Sequence, residues 1–374
     1  MQFPPQTGQF ALNLENLSLH AMSTIHQSAP LDLSPTINTR LLKLELDSST
    51  IMPSSIISVG LHVRSLVDAP PYTAVSYVWG EPSPTKQILL NGQCFTVRQN
   101  LWDLLNQLRA VEFDGYFWVD ALSIDQTSNS EKDHQVAIMG SIYTRATKTI
   151  AWLGTASLEF AAQCQALKKQ FTLSGLSYVR GQRPANDYLH LAGLKYIVSH
   201  PYWTRTWILQ EYLLSSSVEF WCGNEVLPNS ELVSRAKDLL DLDFADLFET
   251  SAQERAFYII QFGTRSDVIT SSLTWLVNVS SESACVDPRD RVYALLSLMS
   301  PRERGLWAIT PDYTASTQDL FEHLCSVFQN TDLDVERWVW NLERWRAWLR
   351  RTFLLDAVDE DGQDKTFNPS TDEM

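Results

Sequence analysis

Basic residues are scarce in this chain. Its 374 residues carry 29 Lys and Arg against 44 Asp and Glu, a formal net charge of −15. That balance argues against non-specific binding to nucleic acid or to an anionic membrane, although it leaves room for a local basic patch. Cysteine is sparse too: five residues, Cys94, Cys164, Cys222, Cys285 and Cys325, odd in number and without a CxxC pair. This excludes a zinc framework and points to reduced thiols in a cytosolic or nuclear protein. No apolar run reaches the length of a membrane span. No Lys or Arg precedes Arg40, so the N-terminus lacks the charged start of a secretory signal and the arginines of a transit peptide. Also missing are a Gly-rich dinucleotide fingerprint, a Walker loop, an HExxH motif and any His/Cys spacing suited to a metal. Readings as a Rossmann dehydrogenase, a kinase or a metalloprotease fail on those absences.

What is present is apolar and aromatic. Hydrophobic residues make up 44% of the chain and tryptophan occurs 13 times, as in a globular protein with room for two domains. The chain is organised around Tyr116–Gly154. An aromatic and β-branched run opens it at Tyr116–Ala121 and another closes it at Thr149–Leu153. Between them Val136, Met139, Ile142, Tyr143 and Ala146 recur at helical spacing. Strand, helix and strand in this length read as a βαβ crossover with a parallel, doubly covered pair. Asp120 falls at the C-terminal end of the first strand, where open α/β sheets place their ligand crevice.

Before this unit, residues 1–40 are rich in Gln, Ser, Thr and Pro and read as a disordered lead-in. Leu41–Leu46 and Ile56–Leu66 read as strands. Thr73–Trp79 sets Val75, Tyr77 and Trp79 on one side of another. Ile88–Val97 holds Asn91-Gly92 between apolar runs, a hairpin signal. Asn100 is placed to cap a helix over Leu101–Ala110, and Ser130 with Asp133 to cap the central helix. After Gly154 the pattern is mainly helical: Ala156–Phe171, Tyr188–Ser199, Trp203–Leu214, Ser230–Leu240, Ala252–Phe262 and Ser271–Val279. A loop over Ser174–Asp187 and a strand pair across Gly223-Asn224 interrupt it. Val335–Leu355 is dense in Trp and Arg and reads as a helix docked on the body or as a partner- or membrane-surface helix. An acidic tail follows it.

Four blocks, Pro71–Gly80 (PYTAVSYVWG), Phe117–Gln126 (FWVDALSIDQ), Glu131–Gly154 and His200–Glu211 (HPYWTRTWILQE), resemble in order and spacing the fungal heterokaryon-incompatibility (HET) domain. Cys285–Leu298 followed by Pro311-Asp312-Tyr313 resembles the region that often comes after it. Ser123 and Asp125 stand where that family usually has Cys and Asn, which removes a cysteine nucleophile at that position. The resemblance implies a role in non-self recognition between fused hyphae that ends in regulated cell death. It implies an α/β fold, a flavodoxin- or TIR-like sheet with flanking helices and a mainly helical extension. On this reading 41–212 is the HET domain (core motifs 71–212), 213–330 the extension and 331–374 the Trp/Arg-rich helix and tail. Two mechanisms follow: a signalling module working by self-association or a protein partner, or a TIR-like hydrolase with NAD or a related nucleotide as substrate and no bound cofactor. An inactive relic of the fold is a third reading.

The candidate residues have competing explanations. Asp120 either caps the next turn or faces a ligand. Glu131 suits the positive end of the central helix, and is also the carboxylate that a nucleotide-cleaving site would use. Trp79 is either core or the aromatic wall of a ligand pocket. Ser76, on the same strand, is a candidate ligand contact but lacks a nucleophile elbow. Arg205 and Glu211 read either as polar locks of their helix to the sheet or as ligand contacts. Asp287, Arg289, Asp290 and Arg291 form a compact charge cluster, read as a salt-bridge network or as a phosphate contact through an arginine.

Overall fold

The computed structural model describes residues 25–33, 37–45, 56–155, 157–168, 185–238, 248–262, 272–280, 283–330 and 342–353. Nine strands form one mixed sheet: β1 (Asn38–Leu44), β2 (Ser58–Ser65), β3 (Tyr72–Tyr77), β4 (Thr85–Leu90), β5 (Gln93–Arg98), β6 (Tyr116–Trp118), β7 (Lys148–Trp152), β8 (Val218–Cys222) and β9 (Glu225–Pro228), in the order β5-β4-β2-β1-β6-β3-β7-β8-β9. The middle of the sheet, β6-β3-β7-β8, is parallel, and β1 and β9 pair antiparallel on its flanks. Taken in chain order, those four parallel strands lie 2-1-3-4, the arrangement that opens a flavodoxin-like sheet.

The central unit differs in one respect from a simple crossover. β6 and β7 run parallel, but they do not pair with each other; both pair with β3, which lies between them. All six residues of β3 are buried, as expected of a strand covered on both faces. Its side chains divide between two cores. Val75 and Tyr77 join Leu101, Leu104, Leu105 and Leu108 of α1 (Gln99–Ala110) on one face. Ala74 joins Val136, Met139, Ile142 and Tyr143 of α2 (Asn129–Arg145) on the other.

Local chemistry explains the turns. Asn91 and Gly92 both take positive φ, 49° and 74°, which a two-residue hairpin turn requires, and Asn91 Oδ1 accepts from Leu61 N at 2.7 Å. Two caps differ from the sequence reading. Ser128, not Ser130, caps α2, accepting from Glu131 N at 3.3 Å. Asn100 lies inside α1 and donates to Val78 O at 3.0 Å, tying the helix to the end of β3.

The remaining helices are α3 (Leu158–Lys168), α4 (Ala185–Val198), α5 (Ile208–Leu213), α6 (Asn229–Asp238), α7 (Ser251–Phe262), α8 (Leu273–Ser280), α9 (Pro301–Trp307), α10 (Thr317–Asn330) and α11 (Leu342–Thr352). The segment expected as one helix over Trp203–Leu214 breaks at Arg205-Thr206, between a 3₁₀ turn at Pro201–Thr204 and α5. The break lets Thr206 N donate to Ala284 O, and Ala284 N to Thr204 O. The apolar run Val292–Met299 forms two single turns, Asp290–Tyr293 and Leu296–Leu298. α11 docks on α10: Trp345 stacks on Phe328 at 5.3 Å, and Trp345, Trp348 and Leu349 are buried. Part of the stretch read as a lead-in is packed, with Ile25 and His26 buried and His26 Nε2 2.8 Å from Leu122 O. The expected loop over 174–184, most of the lead-in and the acidic tail lie outside the described residues. Among the described residues no helix is long and apolar enough to cross a membrane.

Candidate functional site

A cavity of about 380 Å³ opens at the C-terminal ends of β3 and β6. That is the lower part of the size range of small-molecule sites. Its floor is apolar, made of Ile124, Val136 and Met139, and its walls carry the rings of Trp79, Trp207 and Tyr313. Asp120 and Asp290 both reach it, and Arg98 and Lys132 contribute the positive charge.

Asp120 begins a short helical turn directly after β6. Trp79 Nε1 donates to Oδ2 at 2.8 Å and Ala121 N to Oδ1 at 2.7 Å. Burial pushes its pKa up to about 6; Arg205 pulls the other way, and Glu211 adds to the rise. The Asp120 carboxylate thus accepts from the backbone N–H that follows it and also lines the cavity. Trp79 is part-buried, with the Arg98 guanidinium 5.4 Å from its ring centre.

Asp290 is the second carboxylate. Trp207 Nε1 donates to it at 3.1 Å and the Tyr313 hydroxyl at 2.6 Å. Burial raises its pKa to about 6 as well. The charge cluster at 287–291 thus divides. Asp287 is held by Arg289 through its guanidinium at 2.9 and 2.7 Å and its backbone N–H at 3.0 Å, and its pKa is lowered: those bonds outweigh a burial that acts the other way. Asp290 turns inward instead. Arg289 also donates to Tyr313 O and Ala315 O, and Tyr313 N donates to Asp133 at 2.7 Å, which fixes Tyr313 over the start of α2. Lys132 Nζ sits 4.0 Å from the centre of the Tyr313 ring.

Ser76, Arg205 and Glu211 lie behind the cavity wall, away from its lining. Glu211 is only 2% exposed. Arg205 donates to both of its oxygens at 3.1 Å, and the Ser76 hydroxyl donates to it as well. Ser76 also lies 3.0 Å from the Tyr202 hydroxyl. This cluster joins β3 to α5, the bland reading of those residues; its charges still reach Asp120 through Arg205 and Glu211.

Glu131 is held elsewhere. Arg40, 1% exposed, donates to both of its oxygens at 2.5 and 3.0 Å, and Asp125 N donates to it at 2.6 Å. Arg40 also reaches Ala29 O and Ser123 O. The pair welds β1 to the start of α2, and Glu131 is not among the residues lining the cavity.

A second cavity, about 340 Å³, lies at the C-terminal ends of β3 and β7, where the connections leave toward opposite faces of the sheet. Four of its polar side chains are engaged: Asn100 with Val78 O, Asp103 with Gln99, Trp152 with Gln107, and His200 with Tyr202 N. Sequence reasoning found Trp79 and Asp120 in the first cavity from their strand ends. It had Asp290 only as a member of the 287–291 charge cluster and Tyr313 only within the block at 311–313, because no periodicity or spacing ties positions so far downstream to β6.

Residues 72–211 match the family model described as "Heterokaryon incompatibility protein (HET)". Heterokaryon incompatibility protein 6, OR allele, of Neurospora crassa is 25% identical over 350 residues, covering 77% of this chain and 50% of that protein. The chain thus spans about half the length of the curated relative it matches. No solved structure matches. The match runs from the first residue of β3 through Glu211 in α5, so the part of the chain that is similar to the HET domain holds the parallel strands β3, β6 and β7 and the Trp79–Asp120 side of the cavity.

Proposed function

We propose that this chain acts in fungal non-self recognition, in the incompatibility response of fused hyphae, and that its output is regulated cell death. The output reaction is hydrolysis of the N-glycosidic bond of a nucleotide, NAD or a relative, in the cavity at the ends of β3 and β6. The observation that carries this reading is the lining of that cavity. Three aromatic rings surround a carboxylate whose pKa is raised to about 6, within reach of working pH. Aromatic walls suit a base and sugar, and a carboxylate poised near neutrality suits general acid–base work. Asp120 takes the proton of the attacking water. Trp79 Nε1 and Ala121 N hold it in place.

The test is release of free base. Purified protein is incubated with a panel of nucleotides including NAD, and free base is measured by chromatography beside the Asp120→Asn variant. Base release by the native chain and its loss in the variant support the reading. Cell death in a host without base release from any nucleotide sinks it.

A second reading has its own observation in favour. The segment after residue 283 is clasped to the HET region through Ala284, Asp290 and Tyr313. Opening that clasp would expose apolar surface to a partner or a second copy. A toxic chain in which this segment is cross-linked shut would count against it.

A further inference from the structure

The acids around the cavity fall into two kinds. Glu131, Glu211 and Asp287 each hold an arginine, Arg40, Arg205 and Arg289 respectively. Asp120 and Asp290 have no cationic partner within salt-bridge distance among the described residues. Each accepts from one indole N–H and one further donor: Trp79 and Ala121 N for Asp120, Trp207 and the Tyr313 hydroxyl for Asp290. They do not bond each other, and both line the same aromatic-walled space. A carboxylate without a cation, set against apolar walls, keeps its proton more readily than a paired one. Two carboxylates facing one space, one protonated and one ionised, are the equipment for cleaving a glycosidic bond that needs both a base and an acid.

That equipment distinguishes among substrates. The nicotinamide of NAD leaves a ribose by taking the bonding electron pair onto a ring nitrogen that is already cationic. It departs neutral and needs no proton. A purine leaves as an anion unless it is protonated as the bond breaks. A second acid in the site is idle for the first leaving group and necessary for the second.

Resting on the hydrolase reading above, we infer that the substrate is a purine nucleoside phosphate and that Asp290, supplied by the segment after the HET match, is the acid that protonates the departing purine. Water loses a proton to Asp120 and its oxygen bonds to C1′ of the ribose. The C1′–N9 bond breaks and its electron pair stays with the purine, which takes the Asp290 proton on a ring nitrogen. The products are free purine and ribose 5-phosphate. Asp120 is left protonated and Asp290 ionised, and exchange with solvent resets both. Lys132 beside Tyr313 and Arg98 beside Trp79 supply cations at the cavity wall for the phosphate.

The experiment compares two probes on the full chain: adenosine 5′-monophosphate, whose base needs a proton, and nicotinamide mononucleotide, whose base does not. Free adenine and free nicotinamide are measured for the native chain and for Asp290→Asn, with thermal unfolding to verify that the variant folds. The expected result is adenine release by the native chain, reduced 100-fold or more in Asp290→Asn, in the range of a lost general acid. Any nicotinamide release should change less than about threefold in that variant. Nicotinamide release without adenine release overturns the inference and leaves the hydrolase reading standing. Equal loss toward both probes in a folded variant overturns the acid role of Asp290. Release of neither base overturns the inference, and the hydrolase reading then stands or falls on the nucleotide panel that includes NAD.

Discussion

Asp120→Asn should make the protein more stable at neutral pH while removing its chemistry. Folding moves this carboxylate from its ordinary 3.8 to about 6. At about 1.4 kcal/mol per tenfold change in affinity, that is about 3 kcal/mol. Asp120 is only part-buried and meets the cavity, so water there screens it and a gain of about 1–3 kcal/mol is the fair expectation. The sign follows from the direction of the shift. A group whose pKa is raised on folding contributes stability that is complete below its unfolded value and is lost as pH climbs through its folded value. The native chain therefore loses this stability between about pH 4 and pH 6–7. The neutral amide does not titrate and loses nothing. Urea unfolding followed by tryptophan fluorescence should put Asp120→Asn above the native chain at pH 7.5, with the difference closing toward pH 4.5. A variant that is less stable at pH 7.5, or a gap of equal size at both pH values, would refute the picture of a carboxylate held uncomfortably for function.

Four further outcomes follow from the same structure. Arg40→Ala leaves Glu131 buried without its cation and should cost about 3–5 kcal/mol by urea unfolding. Glu131→Gln should lower stability but spare base release, and loss of release in a folded Glu131→Gln protein would return that residue to the chemistry. Gly140→Ala places a Cβ against the Ser297 side chain and 3.1 Å from Leu214 Cδ1, and should cost about 1–3 kcal/mol, recovered in part by adding Ser297→Gly. Tyr313→Phe removes a hydrogen bond that restrains the rise of Asp290, so the Asp290 pKa should move further above 6. Carboxyl carbon NMR titration reads that shift directly, and an unmoved resonance would contradict the bond.

How much of this could be read in the sequence depended on distance along the chain. The helical spacing of Val136, Met139, Ile142 and Tyr143 set the buried face of α2, and Asn91-Gly92 located its hairpin, because local sterics and burial decide both. The insertion of β3 between β6 and β7 was not legible, since periodicity states that a strand is buried on both faces but not which strands cover its edges. Asp120 could be found because a strand end is a local feature. That Asp290 and Tyr313 share its cavity could not be read, because the segment carrying them is joined to the sheet region at the break at Arg205-Thr206, where Ala284 pairs with the opened backbone. That break sits in a stretch whose apolar pattern continues as if helical, and tertiary pairing overrides the pattern.

The placement of buried charge gives the fold its logic. Arg40 with Glu131 joins β1 to α2, Arg205 with Glu211 accompanies the contact of β3 with α5, and Arg289 with Asp287 anchors the turn beneath Tyr313. Each pair lies at a junction between parts of the chain that must stay registered, and removing the arginine from the Arg40–Glu131 or Arg205–Glu211 pair leaves an uncompensated charge in the interior. Those junctions surround the two acids that have no cation. A site that needs raised carboxylates cannot place arginines directly against them, so the acids that do pair with arginine stand one layer away, where Arg205 and Glu211 act on Asp120 from a distance and largely oppose each other. The segment after the HET match adds Asp290 and Tyr313 under the same rule, with Arg289 paired to Asp287 and the Tyr313 hydroxyl turned to Asp290. The charges that hold the chain together are thereby kept from neutralising the ones that face the cavity.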